Sequence, residues 1–261
     1  MYDYHIHSAV SFDSKACAKS IAEAAKNAGI KEICFTDHCD YHSDKNGKHF
    51  PLDLKKYKDE YDALSLEGLS IRLGVEFGMT EWNTAELAEL LSKRDFDFVI
   101  GSVHFVDGAD PYDKEFWEGK TEREAYGRYL EKILECIEIH DDFDVLGHLS
   151  YVSRSIHNPT KNLLRYEDYK EISDKIFTEL IKKGKGIEIN TSGYDALGDF
   201  LPSEEFLVRF KELGGKIVTV GSDAHSASRV GQHIDKALDV LKRVFGYVCT
   251  FEKRQVKFIS L

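Results

Sequence analysis

Proline is scarce in this chain, with four in 261 residues, which excludes a Pro-rich spacer between rigid modules. Cysteine is nearly as sparse. The five (Cys17, Cys34, Cys39, Cys136 and Cys249) are odd in number and contain no Cys-x-x-Cys pair, so neither a disulfide framework nor a four-cysteine zinc site is expected. Reduced thiols in a cytoplasm are the simpler reading; Cys39 adjoins His38, but nothing else supports thiol catalysis. No apolar run approaches the length of a transmembrane helix. The opening Met1-Tyr2-Asp3-Tyr4-His5 has neither the basic nor the apolar segment of a secretion signal. A soluble, cytoplasmic protein is therefore expected. Positive charge is in deficit: the net charge of -11 argues against nonspecific binding to nucleic acid or anionic membrane. An anionic substrate stays open, because bound metal cations reverse the field inside a pocket.

What is present is an alternation of short apolar runs with longer stretches of helical period. Strands are predicted at Tyr2–His7, Glu32–Asp37, Ile71–Phe77, Phe98–Val103, Val145–His148, Gly186–Asn190 and Ile217–Gly221. Helices are predicted at Lys15–Ala28, Leu54–Leu66, Thr84–Ser92, Glu122–Ile139, Tyr166–Lys183, Glu204–Leu213 and Gln232–Phe245. Leu130, Ile133, Leu134 and Ile137 show the spacing of one helix face. Gly29 reads as a helix C-terminal residue and Ser203 as an N-cap. Seven strand–helix units imply an α/β fold with a parallel sheet and right-handed crossovers, either an open doubly wound sheet or a closed barrel. No composition break separates a second domain within residues 1–261. Phe105–Lys120, rich in Asp, Gly and aromatics, reads as a long loop over the C-terminal edge of the sheet.

The histidines fall in a pattern. Six of the seven strands end in, or just before, a residue able to bind metal: His5-Ile6-His7, Thr36-Asp37-His38, Gly74-Val75-Glu76, Ser102-Val103-His104, Gly147-His148 and Ser222-Asp223-Ala224-His225. Parallel strands bring their C-termini to one face, so ligands far apart in sequence meet there. Taken singly, each has a plain alternative. His5 and His7 fit two polar residues on a solvent face, His104 and His148 fit core histidines with satisfied hydrogen bonds, and Glu76, inside an apolar run, fits a buried salt bridge. Chance placement seldom produces six such strand ends out of seven. With Asp13 there are nine candidate ligands (His5, His7, Asp13, His38, Glu76, His104, His148, Asp223 and His225), more than one tetrahedral ion takes, so two or three divalent ions are expected. Imidazole and carboxylate suit zinc, manganese or iron. Paired ions of this kind hydrolyse phosphate esters. His42, His49, His140, His157 and His233 read as surface or supporting residues.

Asp3-x-His5-x-His7-x-x-x-Ser11-x-Asp13 closely resembles the first motif of the PHP (polymerase and histidinol phosphatase) superfamily. Thr36-Asp37-His38, Gly74-Val75-Glu76, Gly101-Ser102-Val103-His104, Gly147-His148 and Gly221-Ser222-Asp223-Ala224-His225 resemble its later motifs in the same order. Ser102-Val103-His104-Phe105 with Asp107-Gly108, Phe116-Trp117-Glu118-Gly119-Lys120 and Phe143-Asp144-Val145-Leu146-Gly147-His148-Leu149 are most similar to the monofunctional histidinol-phosphate phosphatases of histidine biosynthesis. The resemblance implies a distorted (β/α)7 barrel with a trinuclear metal site at the strand C-termini. It implies that His5, His7, Glu76 and Asp223 hold one ion, that Glu76 bridges to a second held by His104 and His148, and that Asp13, His38 and His225 hold a third. Asp37 would support His38, and a metal-bridging hydroxide would attack phosphorus with no separate general base. Asp37, His38 and Glu76 are then the catalytic residues.

The family's pattern places phosphate-clamping arginines after the GH and NTSG motifs. Arg154 matches the first and is the expected substrate-binding residue. The second is absent, because Asn190-Thr191-Ser192-Gly193 continues as Tyr194-Asp195-Ala196-Leu197; Arg165 and Arg229 are the candidates to replace it. The partner implied is a small phosphorylated substrate, with no nucleic acid or membrane, and the assembly a monomer or small homo-oligomer. Competing readings are a PHP phosphoesterase for another small phosphate or a nucleotide diester, and a noncatalytic metal-binding module. An amidohydrolase is a further alternative, but it would bring a lysine to a strand end, and none is there.

Overall fold

The computed structural model describes residues 1–41 and 49–261; His42, expected in a loop, lies outside them. Each helix buries one stripe. In α5 (Glu122–Ile139) that stripe includes Ala125, Tyr126, Tyr129, Leu130, Ile133, Cys136 and Ile137. Its start is fixed by a capping box: the Thr121 hydroxyl accepts from the Glu124 amide at 3.3 Å, and the Glu124 carboxylate accepts from the Thr121 amide at 2.8 Å. The remaining principal helices are α1 (Ala18–Asn27), α2 (Leu54–Tyr61), α3 (Thr84–Lys93), α6 (Lys170–Lys182), α8 (Glu204–Glu212) and α9 (Ile234–Val244), with the single turn α7 (Tyr194–Leu197). No helix among the described residues is long and apolar enough to cross a membrane.

The strands are β1 (Tyr2–Ile6), β2 (Glu32–Phe35), β3 (His38–Asp40), β4 (Ser70–Gly78), β5 (Phe98–Ser102), β6 (Val145–Leu146), β7 (Gly186–Asn190) and β8 (Val218–Gly221), all parallel, in the order β1-β2-β4-β5-β6-β7-β8. β3 is the continuation of β2. The long strand β4 pairs with β2 through Ser70–Leu73 and with β3 through Glu76–Gly78. Seven positions therefore surround an axis, as the (β/α)7 expectation requires. The seam between β1 and β8 is bridged at Ile6 and Ala224, with His7 N donating to Ala224 O at 2.9 Å and Asp223 N to His5 O at 2.8 Å. The buried Asp3 carboxylate accepts from the amides of Ser222 and Gly231 at 2.9 and 3.0 Å, and burial pushes its pKa up to about 6. The result is a nearly closed α/β barrel.

Four differences from the sequence expectations have physical causes. The predicted second strand breaks at Thr36-Asp37, where Thr36 bonds Ile6 of β1 instead of β4. Phe105–Lys120 carries a short helix, α4 (Lys114–Trp117), whose Trp117 is buried with its indole N–H on Pro111 O. Ser203 occupies the N-cap position of α8, but its hydroxyl donates to Glu205. The chain also ends in an unexpected antiparallel hairpin, β9 (Tyr247–Glu252) and β10 (Gln255–Ser260). Its turn places Lys253 and Arg254 at positive φ, where Asn-Gly would be the ordinary signal. Asp97 accepts from the Lys253 amide and Asp144 pairs with the Arg254 guanidinium, which holds that turn. Phe251 then closes one end of the barrel interior against Tyr4, Cys34, Phe98, Ile100 and Val145.

Candidate metal centre

At the opposite end of the barrel the interior turns from apolar to ionisable. Residues of one strand parity that begin as Phe98 and Ile100 in β5 continue as Ser102, whose hydroxyl donates to Glu76 Oε1 at 2.7 Å. The register of β3 on β4 sets His38 directly beside Glu76. In β1 the pairing register shifts between Asp3 and Ile6, and this irregularity lets Tyr4 join the interior apolar cluster while His5 joins the polar one. Gly221 makes room for that crowding: a Cβ there would lie 2.3 Å from both Glu188 Oε1 and His5 Cβ. At Gly78 a Cβ would overlap the Asp40 carboxylate.

All nine residues expected as ligands come together at the mouth of the barrel. Glu76, fully buried, is the centre. Its Oε1 lies 2.8 Å from His148 Nε2 and 3.1 Å from His104 Nε2; its Oε2 lies 3.0 Å from His38 Nδ1, 3.1 Å from His5 Nε2 and 3.4 Å from His7 Nε2. Asp223 Oδ1 is 3.3 Å from His7 Nε2 and 3.7 Å from His5 Nε2. Asp13 Oδ2 is 3.0 Å from His225 Nε2 and 3.5 Å from His38 Nε2. Metal-competent triplets are His5–His7–Asp223, His5–Glu76–His148, His7–His38–His225 and His38–Asp40–His104. The last includes Asp40, a residue outside the expected nine.

Several of these contacts make no sense as hydrogen bonds. His5 Nε2, His7 Nε2, His38 Nδ1 and Glu76 Oε2 are buried and have no hydrogen-bond partner. On His5 the Nδ1–H is already committed to Glu188 Oε1 at 2.7 Å, so a neutral ring turns a lone pair on the Glu76 oxygen. Facing acceptors require a cation between them. Protons meet part of that need. Burial opposes a charge on His5 and His104, but Glu188 and Glu76 raise the first well above its ordinary value, and Asp40 and Glu76 raise the second to about 10. They cannot meet it everywhere, because burial and the neighbouring His225 and His38 hold His7 well below its ordinary value. Burial likewise opposes charge on Glu76 and Asp223, yet the surrounding imidazoles keep both carboxyls well below the usual carboxylate range. Ionised carboxylates and unprotonated ring nitrogens converging on common points are the donor set that divalent zinc, manganese or iron takes.

The supporting carboxylates differ from expectation. Asp37 does not reach the ring of His38. It accepts from the amides of Ser8 (2.7 Å) and Ser11 (3.2 Å), the Ser11 hydroxyl (2.9 Å) and Tyr61. Its effect passes through Ser11, whose Oγ takes the His38 amide at 3.0 Å and meets His7 Nδ1 at 3.1 Å. The direct supports are Glu188 on His5 and Asp40 on His104, the latter at 2.8 Å. Glu188 could have been found by the argument applied to Glu76, a charge within the apolar run Gly186-Ile187-Glu188-Ile189. Such partners orient a ligating imidazole. Glu188→Gln should therefore weaken metal binding about 10–100-fold in a competitive chelator titration; unchanged affinity would remove Glu188 from that role. His140, expected as a surface or supporting residue, is buried with Nε2 on Thr80 O at 2.8 Å. His233 pairs with Asp195 at 2.6 Å on the surface.

Above the cluster is a cleft of about 190 Å³. Asp13, His38, His104, His148, Asp223 and His225 line its base, and Phe12, Phe105, Asp110, Tyr151 and Arg154 its walls. Arg154 lies in the short 3-10 turn Tyr151–Arg154 just past β6. Its guanidinium sits 5.4 and 5.3 Å from the Tyr112 and Tyr151 ring centres, bonds Ser192 and lies 3.3 Å from Asp223 Oδ2. The two proposed replacements for the missing arginine do not line this cleft: Arg165 pairs with Asp199 and Arg229 with Asp195.

Fold and site together define a (β/α) barrel whose strand C-termini present a histidine–carboxylate cluster built for divalent metal. The PHP domain model matches residues 3–192, and the chain belongs to that family. It is 34% identical over 260 residues to the histidinol-phosphatase of Lactococcus lactis subsp. lactis, spanning 97% of this chain and 95% of that one. It is 31% identical over 270 residues to a probable histidinol-phosphatase of Clostridium acetobutylicum, spanning 99% of each. The crystal structure of the Lactococcus histidinol phosphate phosphatase, complexed with zinc, L-histidinol and phosphate, superposes with a TM-score of 0.91 at 33% identity over 98% of both chains.

Proposed function

We propose that this protein is a metal-dependent phosphomonoesterase that hydrolyses L-histidinol phosphate to L-histidinol and phosphate in histidine biosynthesis. The observation that carries the reading is the full-length likeness to the Lactococcus enzyme, whose structure holds zinc with both reaction products. The donor geometry agrees. His5, His7, Glu76 and Asp223 would hold one ion, Glu76 with His104 and His148 a second, and Asp13, His38 and His225 a third, with zinc, manganese or iron as the metal. Bound divalent cations supply Lewis acidity, which lowers the pKa of an attacking water and offsets phosphoryl charge.

The chain's own groups do the rest. Glu76 keeps its negative charge and draws the imidazoles of both halves of the barrel together. Glu188 and Asp40 fix the tautomers of His5 and His104, turning each Nε2 into the site. Arg154, the one arginine lining the cleft among the described residues, offers N–H groups to the phosphoryl oxygens. Phe12, Phe105 and Tyr151 restrict water at the walls. In this reading residues 1–261 act as one PHP-type domain, in the cytoplasm, as a monomer or small homo-oligomer, on a small phosphorylated substrate and not on nucleic acid.

The test is phosphate release from L-histidinol phosphate by metal-analysed protein, beside a generic monoester and a diester. Strong preference for L-histidinol phosphate is expected. Turnover of the diester alone would replace this reading with that of a PHP phosphodiesterase, and no turnover with metal bound would leave a binding module.

A further inference from the structure

The arginine that faces the cleft is held from behind by a chain of polar groups that reaches the metal-binding histidines. Arg154 Nη1 donates to Ser192 Oγ. The Ser192 hydroxyl donates to Asn190 Oδ1 at 2.6 Å, and the Ser192 amide reaches the same oxygen at 3.0 Å. Asn190 Nδ2 donates to Glu188 Oε2 at 3.1 Å. Glu188 in turn takes the His148 amide on Oε2 at 2.9 Å and His5 Nδ1–H on Oε1 at 2.7 Å. Glu188 and Asn190 stand on β7 and are buried; Ser192, just past its end, is half-buried.

Each bond in this chain has one workable direction. A carboxylate accepts, so the Asn190 atom beside Glu188 is the NH2 group, and the atom beside the Ser192 amide is the oxygen. A reversed amide would set oxygen against carboxylate and N–H against N–H. The asparagine oxygen also takes the Ser192 hydroxyl proton. Ser192 Oγ is therefore left to accept, and its lone pair meets Arg154.

The other contacts of Arg154 leave one freedom open. The Tyr112 and Tyr151 rings, 5.4 and 5.3 Å from the guanidinium carbon, restrain its tilt. Nε is buried without a hydrogen-bond partner, so no bond on that side sets rotation within the plane. That rotation is set at Nη1, by Ser192 and, at 3.3 Å, by Asp223 Oδ2. With Nη1 spent on the protein, phosphoryl oxygens are left to the rest of the fork. We propose that Ser192 is a positioning residue for phosphate binding: anchored by Asn190, it aims the Arg154 guanidinium at the phosphoryl group. This rests on the phosphomonoesterase reading above and deepens it, since the loop after β7 then serves phosphate recognition without an arginine of its own.

The rival explanation is that the rings and Asp223 suffice and Ser192 only closes the turn after β7. Ser192→Ala removes the hydroxyl and keeps the turn, because the residue-192 amide still reaches Asn190. On metal-loaded protein, the calorimetric Kd for inorganic phosphate and the KM for L-histidinol phosphate should each rise about 10-fold, the size of one hydrogen bond to a charged group. Bound metal should be unchanged. Ser192→Thr, which keeps a hydroxyl, should recover most of the loss. In an Arg154→Met background, adding Ser192→Ala should change either quantity by less than about twofold, because the serine then has no guanidinium to aim.

An unchanged phosphate Kd in Ser192→Ala would overturn the inference and leave the rings and Asp223 sufficient. The same tenfold loss with the arginine already gone would overturn it too, because the serine would then act on phosphate or on the fold without Arg154. Failure of the wild type to release phosphate from any monoester would sink the phosphatase reading, while the calorimetric comparison would still decide the positioning role.

Discussion

Glu76→Ala should lose bound metal and at least about 10³-fold in turnover, the equivalent of removing several kcal/mol of charge stabilisation from the reacting centre. The size of the effect follows from position. Each oxygen of Glu76 serves a different group of imidazoles: Oε1 meets His104 and His148, and Oε2 meets His5, His7 and His38. Alanine removes the anion shared by five rings, so ions on both sides lose a ligand together. Without metal, the rings that carry protons would also lose their counter-charge, and breaking such a buried pair costs about 3–5 kcal/mol. The variant should therefore melt earlier than the metal-free wild type, which a thermal scan of both after chelation would show. Metal analysis and phosphate release on the same preparation decide the functional part. Full activity with unchanged metal content would refute the bridging position.

That centre was legible in the sequence because strand ends are legible. Apolar runs of four to six residues ended repeatedly in His, Asp or Glu, and in a parallel barrel those ends must converge. The breaks in this logic are local. β6 is only Val145–Leu146, yet His148 still arrives because Gly147 N bonds Gly101 O and continues the strand's direction. Asp40 was invisible because it lies beyond a strand break, and nothing in Thr36-Asp37-His38-Cys39-Asp40 announces that the chain resumes pairing at His38. Asp37 was assigned to the wrong neighbour because adjacency in sequence suggested His38, whereas the turn aims the carboxylate back at Ser8 and Ser11. The terminal hairpin was missed for a similar reason: its turn residues, Lys253 and Arg254, take their unusual conformation from side chains more than a hundred positions away.

The arginines show most clearly what sequence leaves open and what geometry decides. With no arginine after Gly193, Arg165 and Arg229 were the available substitutes, and both are held by surface carboxylates away from the cleft. In the proposed phosphatase Arg154, which among the described arginines alone lines the cleft, would therefore carry the phosphate contact. Arg154→Met should lower kcat/KM for a phosphomonoester by about 10²–10³-fold, the consequence of losing charge-assisted hydrogen bonds worth roughly twice neutral ones. Bound metal should be nearly unchanged, because the Asp223 oxygen that Arg154 touches, Oδ2, is not the one facing His5 and His7. Arg154→Lys should recover only part of the loss. Lysine restores a charge but neither the planar fork nor the stacking between Tyr112 and Tyr151, which fixes the guanidinium's angle over the cleft. The effect should also depend on the ester: a diester has one anionic charge fewer to neutralise, so the same variants should impair it less. Unchanged monoester turnover in Arg154→Met would mean that the metal cluster alone binds the phosphate. Equal losses on monoester and diester would mean that Arg154 acts by holding Asp223 in place and not by touching substrate.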